Sequence, residues 1–330
     1  MDRLIDPEQL RGWIPIRLYR SDGETLIDWC YLGRERFTDP FFSQTIDRCF
    51  RRPFNLAFRY QTPAAMLLTL SEFHAGVSPA GFIFHVSRCG STLVAQMLAS
   101  VAENIVISEA GLINSAITPR PGSNPQETEW QRIQWLRGIV SALGQARAGN
   151  EKRLFIKFDA WHILDLSLIK RAFPQVPWIF LYRDPIEVLV SQLDQRGGHS
   201  IPGVLDPQLF GLNLDEALAL SPEEYCAVVL GKLCEAGLEQ HQDGGRLINY
   251  SELPEAVFAL SDFFLDPFEE VDIAALGEVG RLDAKNPSQA YEDDTTRKRQ
   301  KASGALLAAA NRWVYPVYAR LEEDRQRQCL

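Results

Sequence analysis

The sequence predicts an α/β protein in which a central, mainly parallel sheet is flanked by helices and preceded by a small N-terminal α+β extension. Three observations predict it. From Ala80 onward short apolar runs alternate with longer stretches of helical periodicity. A succession of apolar strand, polar turn and apolar-periodic helix occurs twice, around residues 81–100 and 176–195. The chain of 330 residues, 46% of them hydrophobic, is long enough for a core of normal size.

The elements follow in order. Residues 1–78 differ in texture from the rest and are read as an extension, with 79–330 as the α/β domain. In the extension, Trp13 to Tyr19 and Thr25 to Leu32 are β-rich runs joined by Ser21-Asp22-Gly23, which predicts a hairpin. "DPFFSQTIDRCF" predicts a short helix opened by Asp39-Pro40, and "TPAAMLLTLSEFHAG" another closed by Gly76. The α/β part offers strands at Phe82–Val86, Ile105–Ser108, Leu154–Phe158, Trp178–Tyr182 and Arg246–Asn249. Helices are expected near Glu127–Ala148 and Ile186–Gln195, and long loops at Thr118–Glu129 and Gly197–Asn213. Trp313, Tyr315 and Tyr318 fall at helical spacing and read as core.

Composition narrows the function. A formal net charge of −9 argues against broad nucleic-acid or anionic-membrane binding, but leaves room for a local basic pocket and a small anionic ligand. The six cysteines form no CxxC pair and no metal-ligand spacing, so neither a disulfide framework nor a metal site is expected. "MDRLIDPEQLRGW" places two Asp and a Glu where a signal peptide would be apolar, and no window approaches about 20 uncharged apolar residues. A cytoplasmic protein is the expectation, with its oligomeric state open.

The first turn, Ser87-Arg88-Cys89-Gly90-Ser91-Thr92, joins a strand to a helix, where ligands of open parallel sheets bind. Gly90 permits a tight backbone, Ser91 and Thr92 offer hydroxyls, and the amides from Cys89 to Thr92 can form a nest for phosphate or sulfate beside Arg88. No Lys follows Gly90, which departs from the triphosphatase loop and argues against ATP or GTP hydrolysis. The bland alternative is simple helix capping. In the second turn Arg183 ends a strand, Asp184-Pro185 opens a helix and Ser191 lies eight residues on, near the same helix face.

"FHVSRCGSTL" followed by "FLYRDPIEVLVSQL" resembles the two nucleotide-binding signatures of sulfotransferases that use 3′-phosphoadenosine 5′-phosphosulfate (PAPS). The first is similar to their 5′-phosphosulfate loop, P-[KR]-[ST]-G-[ST]-[ST], and the second to the element whose Arg and Ser bind the 3′-phosphate. "LINYSELP", with Tyr250, is similar to the family's strand ending in Tyr-Glu-x-Leu, so the likeness spans roughly residues 81–250. It implies a P-loop type sulfotransferase fold and a PAPS site made by Ser87, Arg88, Cys89, Gly90, Ser91, Thr92, Arg183, Ser191 and Tyr250. Ser87 replaces the usual Pro and Cys89 the usual Ser or Thr. The family's Gly/Lys-rich closing segment is not evident, and Arg297, Lys298, Arg299 and Lys301 are candidates for reaching the 3′-phosphate instead; a solvated basic helix face is the alternative.

Sulfuryl transfer needs cations, backbone donors and a base. The resemblance implies that Arg88 serves the leaving group and Lys157 the transferring group. Three residues compete for the base: Glu109, which the resemblance favours, then Asp159 and His162. His85 reads as a core histidine. Carbohydrate, peptide tyrosine and secondary-metabolite acceptors stay open, with the acidic composition and the acidic N-terminus favouring a small molecule with a hydroxyl or amine, cationic ones included; no metal is implied. A P-loop nucleotide kinase and a non-enzymatic, degenerate P-loop binding protein remain as rival readings.

Overall fold

The computed structural model describes residues 6–118, 128–264, 269–282 and 295–328. Two sheets organise them. Near the N-terminus, β1 (Trp13–Ser21), β2 (Glu24–Tyr31) and β3 (Tyr60–Pro63) form an antiparallel sheet in that order. Ser21 pairs with Glu24, so Asp22 and Gly23 alone make the turn. Both have positive φ, +49° and +86°, as a two-residue hairpin turn requires. The sequence did not point to β3: it is four residues long, ends in proline and borrows its order from pairing with β2, Tyr60 opposite Trp29. Helices α1 (Phe42–Phe50) and α2 (Met66–Phe73) flank it.

The larger sheet contains β4 (Pro79–His85), β5 (Asn104–Ser108), β6 (Arg153–Lys157), β7 (Trp178–Tyr182) and β8 (Gly245–Asn249), ordered β5-β6-β4-β7-β8. Every neighbouring pair is parallel, so the mainly parallel central sheet is present. β5, β6 and β7 are buried along their whole length, which explains their apolar centres; in β5 and β6 polar residues stand only at the ends. Their core includes Phe84 stacked on Phe158 with ring centroids 4.8 Å apart.

Helices α3 (Ser91–Ser100), α4 (Gly111–Ile117), α5 (Glu129–Leu143), α6 (Leu166–Ala172), α7 (Pro185–Asp194) and α8 (Pro222–Gln240) connect and cover the strands. The expected start of α5 near Glu127 and most of the loop before it lie outside the described residues. Helices α9 (Thr295–Lys301), α10 (Gly304–Trp313) and α11 (Tyr315–Gln328) close the chain. From β4 the chain departs toward β5 on one side and later reaches β7 on the other. The carboxyl ends of β4 and β7 therefore border the crevice where such sheets bind ligands. Ser108 pairs with Lys157, which brings the ends of β5 and β6 level and sets Glu109 beside Lys157.

Candidate active site

Backbone strain marks the turn after β4. Among the described residues four non-glycine positions have positive φ, and three of them meet here: Ser87 (+66°), Arg88 (+53°) and Glu109 (+53°). Gly90, at +82°, caps α3. A Cβ on Gly90 would lie 2.6 Å from Leu253 Cδ1 and 2.8 Å from Tyr250 Cδ2, so glycine is required for both conformation and space. The first N–H groups of α3 have no acceptor within the helix, and Ser91 and Thr92 line the adjoining cleft. Cys89 is buried, and its thiol donates to Leu181 O at 3.1 Å. Burial pushes that thiol up to about 11, so only its backbone is available to an anion. Arg88 Nη2 donates to Gln195 O at 2.6 Å and to Gln195 Oε1 at 3.1 Å, anchoring the loop to the end of α7.

The cleft has a volume of about 380 Å³. Behind the lining residues Glu109 and Thr92, Lys157, only 1% exposed, donates to Glu109 Oε1 at 2.5 Å and approaches Thr92 Oγ1 at 3.5 Å. His85 Nε2 lies 3.4 Å from the same Glu109 oxygen. Burial by itself would raise the Glu109 carboxyl, but the Lys157 ammonium and the His85 N–H outweigh it and hold the group well below the usual carboxylate range. Asp159 also lines the cleft and shows the opposite balance: burial, reinforced by the Glu109 charge, raises it to about 7 despite Lys157. His162 is fully buried beneath. Its Nδ1 accepts the Asp159 N–H at 3.3 Å and its Nε2 meets Asn114 Oδ1 at 3.0 Å, while burial lowers it to about 3. Both ring nitrogens face protein atoms.

Phe41, Trp161 and His199 complete the far wall. Phe41 comes from the N-terminal segment and Trp161 from the 3₁₀ turn Ala160–Asp165. Trp161 is fixed by its Nε1 donating to Asn114 Oδ1 at 2.7 Å. His199 is buried, and burial lowers it to about 4. Nothing in the sequence pairs these three residues with the loop, and no local spacing would have found them.

The second turn lies across Tyr250. Arg183 is buried, its Nε donates to Glu187 Oε2 at 2.6 Å, and its guanidinium carbon sits 3.9 Å over the Tyr250 ring. Since that ring also abuts Gly90, Arg183 and the first loop meet at one side chain. Asp184 caps α7 by accepting from the N–H groups of Ile186 (3.0 Å) and Glu187 (3.3 Å). Ser191 is half-buried two turns along. The basic helix α9 lies along α7: Arg299 reaches Asp184 (3.4 Å) and Glu187 (3.3 Å), and Lys301 pairs with Asp194 at 2.9 Å. Arg297 is exposed and Lys298 half-buried on the same helix, whereas Asp293 and Asp294 before it lie outside the described residues.

Among the described residues no three His, Cys, Asp or Glu side chains are grouped as metal ligands. None of the described helices is long and apolar enough to cross a membrane. No protein-family model matches the chain, and no curated protein matches it. Among solved structures it is similar to a sulfotransferase domain from the curacin biosynthetic pathway, with 17% identity and a TM-score of 0.43 over 77% of this chain and 99% of that one. It is also similar to a sulfotransferase from Alicyclobacillus acidocaldarius, with 13% identity and a TM-score of 0.43 over 76% and 96% of the two chains. A third is a sulfotransferase from Mycobacterium tuberculosis, with 14% identity and a TM-score of 0.41 over 65% and 75%. Overlaps this loose carry no argument about activity.

Proposed function

We propose that this chain is a sulfotransferase that moves a sulfuryl group from PAPS to a hydroxyl or amine of a small acceptor. One observation carries the reading: a strained, glycine-capped loop at a helix N-terminus stands beside a buried Lys157 and two carboxylates of opposite protonation tendency, around a cleft sized for a small molecule. The sulfuryl donor supplies an activated anhydride with negative charge at both ends. Ser87, Arg88, Gly90, Ser91 and Thr92, with the Cys89 backbone, suit its 5′ end, where N–H groups and a guanidinium meet an anion. Arg183, Ser191 and Tyr250 suit its 3′ end, helped by one or two of Arg297, Lys298 and Lys301. Lys157, buried behind Glu109 and Thr92, which line the cleft, would stabilise charge on the transferring group.

Asp159 is the better base. A group raised to about 7 is half deprotonated at neutral pH and takes a proton readily, whereas the strongly paired Glu109 is a weak acceptor. Glu109 instead orients Lys157. His162, with both nitrogens engaged, supports Asp159 from below. Two carboxylates and the rings of Phe41 and Trp161 suit an acceptor that carries positive charge.

The test is calorimetric titration of the protein with adenosine 3′,5′-bisphosphate and then with ATP and Mg²⁺. Micromolar binding of the bisphosphate with little binding of ATP supports the proposal. The reverse preference replaces it with a nucleotide kinase.

A further inference from the structure

His85 reads as a core residue, and at 3% exposure it is buried like one, yet its contacts join two parts of the site. Its Nδ1 accepts the Ser87 N–H at 2.9 Å. An accepting ring nitrogen carries no proton, so in the neutral ring the proton is on Nε2. That nitrogen lies 3.0 Å from Phe158 O and 3.4 Å from Glu109 Oε1. Glu109 Oε1 also receives Lys157 Nζ, which in turn approaches Thr92 on the helix that the loop opens. The contacts therefore close a ring: loop, His85, Glu109, Lys157, and back to the first turn of α3. Glu109 and Lys157 are the charged groups facing His85.

We infer that His85 is a positioning residue that locks the anion-binding loop to the Glu109–Lys157 pair, so that the donor loop and the cation of the transferring group keep one fixed geometry. This rests on the sulfuryl-transfer reading for its consequence, but the lock itself is a statement about hydrogen bonds. Ser87 and Glu109 both hold positive φ, and His85 is the side chain bonded to one and in contact with the other.

The two nitrogens can be removed separately. Asn places an amide oxygen near Nδ1 and keeps an acceptor for Ser87, whereas Gln extends its amide nitrogen toward Nε2 and keeps a donor for Glu109. His85→Gln is expected to weaken adenosine 3′,5′-bisphosphate binding about tenfold or more, because a buried N–H in the loop loses its acceptor. His85→Asn is expected to keep that affinity within about threefold while the Glu109 carboxyl, followed by ¹³C NMR, titrates at higher pH than in His85→Gln. Equal changes in both variants, or none in either, would overturn the inference. If neither variant folds, ¹⁵N shifts of the wild-type imidazole decide it: protonation at Nε2 alone at neutral pH supports the lock, and a proton on Nδ1 ends it. A wild-type protein that binds no bisphosphate overturns the sulfuryl-transfer reading, while the NMR measurements still judge His85.

Discussion

Burial raises Asp159 to about 7 with the Glu109 charge adding to it, while at Glu109 the same desolvation is outweighed by Lys157 at 2.5 Å. Under the proposed function such a division between neighbouring carboxylates makes Asp159 the base and Glu109 the fixed charge. Asp159→Asn is therefore expected to lower turnover about a hundredfold or more and to remove a rise in rate centred near pH 7, measured as bisphosphate release from PAPS. The sign follows because only the deprotonated form, which predominates above that pH, takes a proton. The linked effect on stability has its own sign. A carboxyl raised in the folded state above its unfolded value of 3.8 favours folding below that value, and the contribution is lost as pH rises through about 7. At pH 8 Asp159→Asn is accordingly expected to raise Tm, in a thermal scan of both proteins, while turnover falls by about a hundredfold or more. Gly90→Ala tests the loop itself: at φ +82° with Leu253 and Tyr250 in the way, the added methyl should eliminate bisphosphate binding detectable by calorimetry.

At the scale of elements, the site is made by strand ends and the helix starts that follow them. Both α3 and α7 begin where a strand of the parallel sheet stops, and α7 begins on Asp184 with Pro185 at its first position. Asp184→Ala removes two capping bonds and is expected to cost about 1 kcal/mol in urea unfolding, with a further loss of bisphosphate affinity because Arg183 shares its backbone. Helix α8 packs on β7 with equal economy: a Cβ on Gly237 would stand 2.4 Å from the Phe180 ring. Gly237→Ala should destabilise the protein by about 1–3 kcal/mol in the same assay and leave the ligand affinity of the folded fraction unchanged. The apolar centres of β4 to β8 made them legible in the sequence because strands packed between layers bury most of their side chains. It did not reveal β3, whose four residues are a strand through pairing with β2.

For the whole molecule, net charge −9 means that the proposed binding of a polyanionic nucleotide would have to rest on local fields. On the proposed reading Arg88, Lys157 and Arg183 would supply them, each placed against a carbonyl, carboxylate or ring that holds its head in position. Bisphosphate affinity is expected to fall several-fold between about 0.05 M and 0.5 M salt, and less steeply in an Arg88→Ala protein; calorimetry across that range checks it. The sequence by itself determined the parallel sheet, the strand–turn–helix at Gly90 and the second one at Asp184-Pro185. Those are local patterns, set by burial, by glycine and by the direction in which strands run into helices. Only the tertiary structure decided how the charges divide. Glu109 and Lys157 are 48 residues apart, Arg88 and Gln195 are 107 apart, and Phe41 reaches the cleft from the N-terminal segment. Protonation depends on the burial and distance of such neighbours, quantities that exist once the chain has closed around them.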